Sequence, residues 1–239
     1  MWFIRKVYFA YRFYWYTLMN NVDLTIYREG PTKYKIVFSD YSEILIKSIV
    51  QSQQINDISV YKDYRTIAFT ATSVQTYTEF RDGLLYEMNG VEKLSYDATL
   101  RLVSSLATQL KYLIENQSSC FYLFNTDNLI VIDGNKFVYM SNQHLCRLMP
   151  DGKTMLIIQP FSRKENFVSP ELRRIICIPA EVDCLSSYYS LGALALHCLS
   201  GNFDNEDDAV LGELKGTKLY AMLKRCLAED PCKRSILFV

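Results

Sequence analysis

Between residues 22 and 72, apolar and β-branched residues come in short runs separated by polar turn formers. Leu24-Thr25-Ile26-Tyr27, Tyr34-Lys35-Ile36-Val37-Phe38, Glu43-Ile44-Leu45-Ile46 and Arg65-Thr66-Ile67-Ala68-Phe69-Thr70 read as strands of a small antiparallel sheet. Glu29-Gly30-Pro31-Thr32 and Ser39-Asp40-Tyr41-Ser42 suit the turns between them. At Ser95 the period changes. Leu100, Val103, Leu106, Leu110 and Leu113 fall at three- and four-residue spacing, which predicts an amphipathic helix to about Glu115, capped by Ser95 or Asp97. Leu129–Ile132 and Lys136–Tyr139 then read as two strands joined through Asp133-Gly134-Asn135, a strong hairpin signal. A second hairpin is expected at Pro150-Asp151-Gly152-Lys153, pairing Cys146–Leu148 with Met155–Ile158. Tyr188–Leu199 is apolar all round and predicts a buried helix ended by Gly201. Asp204–Asp208 is an acidic loop, and a last amphipathic helix covers Thr217–Ala228. Strands first and helices later predict an α+β fold.

A chain of 239 residues is long enough for one large domain or two small lobes. Hydrophobic content of 49%, with 18 tyrosines and 13 phenylalanines, argues for a folded globule. Lysine plus arginine number 26 and aspartate plus glutamate 26, so no global field draws nucleic acid or an anionic membrane. The 7 cysteines are scattered without a C-x-x-C pair, and there are 2 histidines, a pattern that predicts no metal site. An odd cysteine count suits reduced thiols and a cytoplasmic location. Residues 1–18 combine Arg5, Lys6 and Arg12 with Trp, Tyr and Phe, chemistry compatible with a membrane surface. They are too short and too charged to span a bilayer, and two plainer readings stand beside the interfacial one. One is an element packed on the first lobe; the other is an extension upstream of a domain start at Met19.

The C-terminal third carries motifs in a recognisable order. Phe167-Val168-Ser169-Pro170-Glu171-Leu172 is followed by Ser187-Tyr188-Tyr189-Ser190-Leu191-Gly192, and then by Leu223-Lys224-Arg225-Cys226-Leu227-Ala228-Glu229-Asp230-Pro231-Cys232-Lys233-Arg234. They resemble the A-P-E end of the activation segment, the D-x-W-S-x-G helix and the closing L-x-x-D-P-x-x-R of eukaryotic-type protein kinases. The resemblance covers about residues 85–239, and 22–84 only weakly. It implies a bilobal fold with an abbreviated β-rich N-lobe (residues 1–84) and a mainly helical C-lobe (85–239). It also implies that Glu171 and Arg234 form a buried ion pair. The compactness and the drifted, tyrosine-rich motifs suggest a viral chain.

Phosphoryl transfer in that family needs a glycine-rich loop, a lysine on the phosphates, metal ligands and an acid-base aspartate. The loop position, between the first two strands, offers only Gly30 beside Pro31. Ile44-Leu45-Ile46-Lys47 resembles the lysine strand V-A-I-K, making Lys47 a candidate nucleotide-binding residue, with a solvated surface lysine as the alternative. No glutamate lies in 51–59 to partner it. Phe121–Ile130 aligns with the catalytic loop. Asn128 matches the metal-binding asparagine, and a turn residue bonding its own backbone is the alternative. Leu123 stands where the catalytic aspartate belongs, and Tyr139-Met140-Ser141 occupies the D-F-G region without an acid. Ser187 replaces the aspartate that bonds the catalytic-loop backbone, which suggests a loop released from its task.

The expectation is a pseudokinase acting as a binding, decoy or regulatory scaffold. Its catalytic and metal residues are absent, its cofactor is none or weakly bound ATP, and its partner is a protein rather than nucleic acid. Two alternatives are a divergent active serine/threonine kinase and a C-lobe interaction module that binds no nucleotide. In the scaffold reading, recognition resides on residues 141–168, where a hairpin presents a sheet edge or apolar face, and the plainer alternative is that Leu156 and Ile158 pack on the large lobe.

Overall fold

A computed structural model of the chain describes residues 16–20, 24–53, 55–87, 93–201 and 208–236. The first sheet is antiparallel, made of β1 (Tyr16–Asn20), β2 (Leu24–Arg28), β3 (Lys33–Phe38), β4 (Asn56–Val60) and β5 (Thr66–Thr70), in the spatial order β1-β2-β3-β5-β4. A helix, α1 (Glu43–Ser52), lies between β3 and β4 in the chain. Alternation sets the sheet's inner face: Leu24 and Ile26 on β2 and Tyr34, Ile36 and Phe38 on β3 are buried. β4 is an edge strand with Asn56, Asp57, Ser59 and Val60 exposed, and its polar pattern hides it from a hydrophobicity reading.

Two expectations for this region are corrected. Glu43–Ile46, read as a strand, is the start of α1. Leu45, Ile46, Ser48 and Ile49 form one buried face at helical spacing, and that burial outweighs the strand preference of the β-branched residues. β1 also begins upstream of Met19, with Tyr16 opposite Arg28 and Thr17 opposite Tyr27, so the domain does not start at Met19. Residues 1–15, which hold most of the aromatic segment, lie outside the described residues.

After β6 (Val74–Thr76) and α2 (Tyr77–Glu87), within which position 84 falls, comes the long α3 (Tyr96–Gln117). The Ser95 hydroxyl accepts from the Ala98 N–H at 3.2 Å and caps α3. β7 (Ser119–Phe121) leads to the hairpin of β8 (Leu129–Ile132) and β9 (Lys136–Tyr139), which forms a sheet with β6. Its turn needs two left-handed residues, and Asp133 and Gly134 supply them at φ 53° and 66°. The Asp133 carboxylate ties the turn back to Thr72, accepting from its N–H and its hydroxyl at 2.7 Å each.

The second hairpin differs from its expectation. The turn forms, with Asp151 accepting from the N–H groups of Lys153 and Thr154 at 2.9 Å. Beyond it, β10 (Leu145–Arg147) pairs with β7, and β11 (Thr154–Ile157) pairs with β12 (Ala180–Asp183), after a short helix α4 (Pro170–Arg173). The two arms meet at the bridge Leu148–Met155, beside which the Met149 N–H donates to the Thr154 carbonyl at 2.7 Å. Met155 is fully buried, while Ile158 is 64% exposed.

α5 (Ser186–Ser200) is buried along nearly its whole length. Gly192 is required there, because a Cβ would lie 2.7 Å from the Cys226 Cβ on the facing helix. Gly201 closes α5 in the left-handed conformation. α6 (Asp208–Glu213) and α7 (Lys218–Cys226) complete the α+β fold, with Thr217 capping α7. One apolar core runs from Leu24 to Cys226. Gln109 on α3 donates to the Ser48 hydroxyl on α1 at 3.1 Å, fixing the helix of the first sheet to the helical part. All seven cysteines are free, and no helix among the described residues is long and apolar enough to cross a membrane.

Candidate functional site

The segment from Phe121 to Asn128 is held from below by α5. Ser187 donates to the Phe121 carbonyl, and the Ser190 hydroxyl accepts from the Phe124 N–H at 2.8 Å. Ser187 therefore still anchors this loop, through a hydroxyl in place of a carboxylate. Small hydroxyls do the anchoring without a charge. Leu123 is fully buried between these anchors.

Above the loop, Phe121, Phe124 and Tyr139 pack edge to face, with Tyr139 at 5.0 and 4.8 Å from the other two ring centres. The Tyr139 hydroxyl meets His144 Nδ1 at 2.5 Å and Asn125 Oδ1 at 3.4 Å. Burial pushes the Tyr139 phenol well up and brings His144 down to about 4, so both are neutral near pH 7. The same Asn125 oxygen accepts from the backbone N–H and the side-chain Nδ2 of Asn128, at 3.1 and 3.0 Å. Asn128 is thus a loop-closing residue within this network. Gln109 completes the corner, donating to the Tyr139 carbonyl at 2.9 Å and accepting from its N–H at 3.0 Å. His144 and Gln109 were missed in the sequence. Gln109 could have been found as the polar residue three positions after Leu106 on the apolar face of α3.

Outside this corner opens a cleft of about 540 Å³ whose lining includes Asn125, Asp127, Asn128, His144, Lys164 and Glu165. Burial raises the pKa of Glu165, and the charge of Asp127 adds to the shift. Among the described residues no group of three or more His, Cys, Asp and Glu comes together. Tyr139, Met140 and Ser141 are fully buried and carry no acid. The donor set does not fit the paired metal ligands and acid-base aspartate of kinase chemistry.

Lys47 is elsewhere. It lies on the polar face of α1, not on a strand, and donates to Glu43 at 2.6 Å. That hydrogen bond raises its pKa and lowers that of Glu43. It lines a second cleft with Val50, Val60, Tyr61 and Tyr64, separate from the one at Asn128. The inward positions of β3 are Tyr34, Ile36 and Phe38, so no lysine of that strand faces the core. Gly30 lies between the second and third strands, not the first two, and the carbonyls of Gly30 and Pro31 accept from Arg28 at 3.2 and 2.8 Å. The β1–β2 connection, 21–23, is outside the described residues.

Glu171 and Arg234 meet as expected. Arg234 is fully buried at its side chain and grips both oxygens of Glu171, one of them at 3.0 Å from Nη2. Its remaining donors reach the carbonyls of Ala228 at 2.7 Å and Glu229 at 2.9 Å, and its guanidinium lies 5.1 Å from the Tyr189 ring centre.

Compared with protein-family models and with curated proteins, the chain matches none.

Proposed function

We propose that the protein is a catalytically degenerate, protein-kinase-like chain that works as a binding scaffold. The observation that carries this reading is a contrast in charge. Glu171 and Arg234, the ion pair implied by the kinase resemblance, are joined and fully hydrogen-bonded, while Leu123 and Tyr139-Met140-Ser141 are sealed and uncharged. The chain order supports it: a helix follows the third strand and packs on the long helix α3, as the lysine strand and glutamate helix of protein kinases are ordered. The α5 anchors on Phe121 and Phe124 support it too, since they hold a loop at the catalytic-loop position. Without a general base, rate falls by about 10²–10⁴ before any loss of metal is counted.

Two measurements on the full chain test the reading. Radiolabelled ATP with magnesium should transfer no phosphate to the protein or to a generic substrate. ATP should give a small melting shift that magnesium does not increase. A ligand at 100 times its dissociation constant stabilises by about 2.7 kcal/mol, so tight binding would be plain. Transfer that depends on Asp127 or Glu165 would promote the active-kinase alternative.

A further inference from the structure

β10 and β11 touch at Leu148–Met155 and then part, because each pairs on its far side with a different strand. The wedge between them is a cavity of about 310 Å³ lined by Tyr122, Leu145, Arg147, Leu156 and Ile158, among others. Tyr122, on its wall, has its ring centre 5.7 Å from that of Phe161. Phe161 lines a second cavity of about 180 Å³ with Arg163, Ile175, Ile176 and Ile178. Ile158 and Ile176 are 64% and 87% exposed, which for isoleucine leaves much apolar area in water. Neither cavity has a carboxylate in its lining, and each has one arginine. Arg147 and Arg163 form no ion pair among the described residues.

We propose that these two neighbouring cavities, related by the Tyr122–Phe161 contact, together bind an extended segment of a partner protein that carries aliphatic anchors flanked by aspartate or glutamate. The diverging strands offer a slot for an extended chain, and the apolar walls take alternate side chains. The charge selects the occupant: two unpaired guanidiniums beside apolar walls favour a carboxylate and disfavour a lysine. The proposal rests on the scaffold part of the function above and names the surface and the partner's chemistry.

Short synthetic peptides test it, arrayed with a fixed leucine or isoleucine and a flanking glutamate, glutamine or lysine, and probed with the full chain. Glutamate peptides should bind several-fold better than glutamine peptides, and lysine peptides should not bind. Arg147→Glu with Arg163→Glu should reverse that order, and Ile158→Asp should abolish binding, with unchanged melting temperatures for these exposed sites. Equal binding regardless of flanking charge, no bound peptide at all, or indifference to the arginine changes would overturn the proposal. So would a dimer seen by light scattering that Ile158→Asp disperses, since the occupant would then be a second copy of this chain. An empty array alongside absent phosphotransfer would remove the groove and leave the degenerate-kinase reading standing. Phosphotransfer alongside selective peptides would do the reverse.

Discussion

The corner around Arg234 and the corner around Tyr139 are both buried and hydrogen-bonded, yet their electrostatics are opposite. At the first, a full charge is kept inside the protein and supplied with a bidentate carboxylate and backbone carbonyls. At the second, every group is neutral: burial keeps the phenol and imidazole uncharged, and amides and hydroxyls do the rest. Charge is kept where it joins α4 to the C-terminal turn and is absent from the hydrogen-bonded corner above the loop.

Removing the buried charge should break the comparison most sharply. Arg234→Ala leaves Glu171 and the two carbonyls without their donors and should cost about 3–5 kcal/mol in urea denaturation. Glu171→Ala should also destabilise strongly, because it strands a guanidinium that is fully buried. The double change should cost less than the sum of the two. Additive, near-neutral effects would mean that the pair does not hold α4 to the C-terminal turn, and the kinase-like framework would lose its main support.

The neutral corner should reveal itself through pH. His144 has a folded pKa of about 4 against 6.5 in the unfolded chain, so between those values the unfolded state takes a proton that the fold refuses. Stability is therefore fully present above pH 6.5 and falls as pH drops toward 4, by about 3 kcal/mol in all. His144→Asn should remove that part of the slope. A pH profile identical with and without His144 would show that the fold accepts a proton at His144 as readily as the unfolded chain does, and burial would not be holding the corner neutral.

A smaller loss should follow at the anchor beneath the loop. Ser190→Ala leaves the buried Phe124 N–H without its acceptor and should cost about 1–3 kcal/mol. Ser190→Thr keeps the oxygen but crowds the buried helix, so alanine is the cleaner probe. No loss on Ser190→Ala would mean that α5 does not position the loop.

Periodicity disclosed the helical part well. Leu100, Val103, Leu106, Leu110 and Leu113 lie on one face of a long helix, which leaves little ambiguity of type. The Asp-Gly turn was equally plain, because few residues tolerate consecutive positive φ values. The sheet region misled. Ile44-Leu45-Ile46 taken alone is a strand pattern, and only Ile49 and Val50 beyond it reveal the helical repeat. Misreading α1 put Lys47 on a strand, whereas it sits on the polar face of a helix. β4 was invisible because an edge strand buries little. The wedge at β10 and β11 was only half legible: the turn was written in Pro150-Asp151-Gly152, but the choice of β7 and β12 as partners is made by distant sequence. At the site, Leu123 and the acid-free Tyr139-Met140-Ser141 were readable as absences, whereas the Tyr139–His144 contact depends on how the loop closes in space.

Lys47 should show the smallest effect, and it sharpens the comparison from outside both corners. Its ammonium pairs with Glu43 one turn back on the same helix, with 43% and 29% of the two side chains exposed, so water and salt screen the contact. Lys47→Met should leave the denaturation midpoint unchanged within error and should not alter the response to ATP. A lysine that held phosphate would have to reach the cleft of Asn128, yet it lines a different one with Val60 and Tyr61. If Lys47→Met erased a magnesium-dependent ATP shift, α1 would have to turn its polar face toward the loop on binding. The neutral corner would then be one state of a site that recruits its charge from the first sheet, and the division between structural charge and missing catalytic charge would fail.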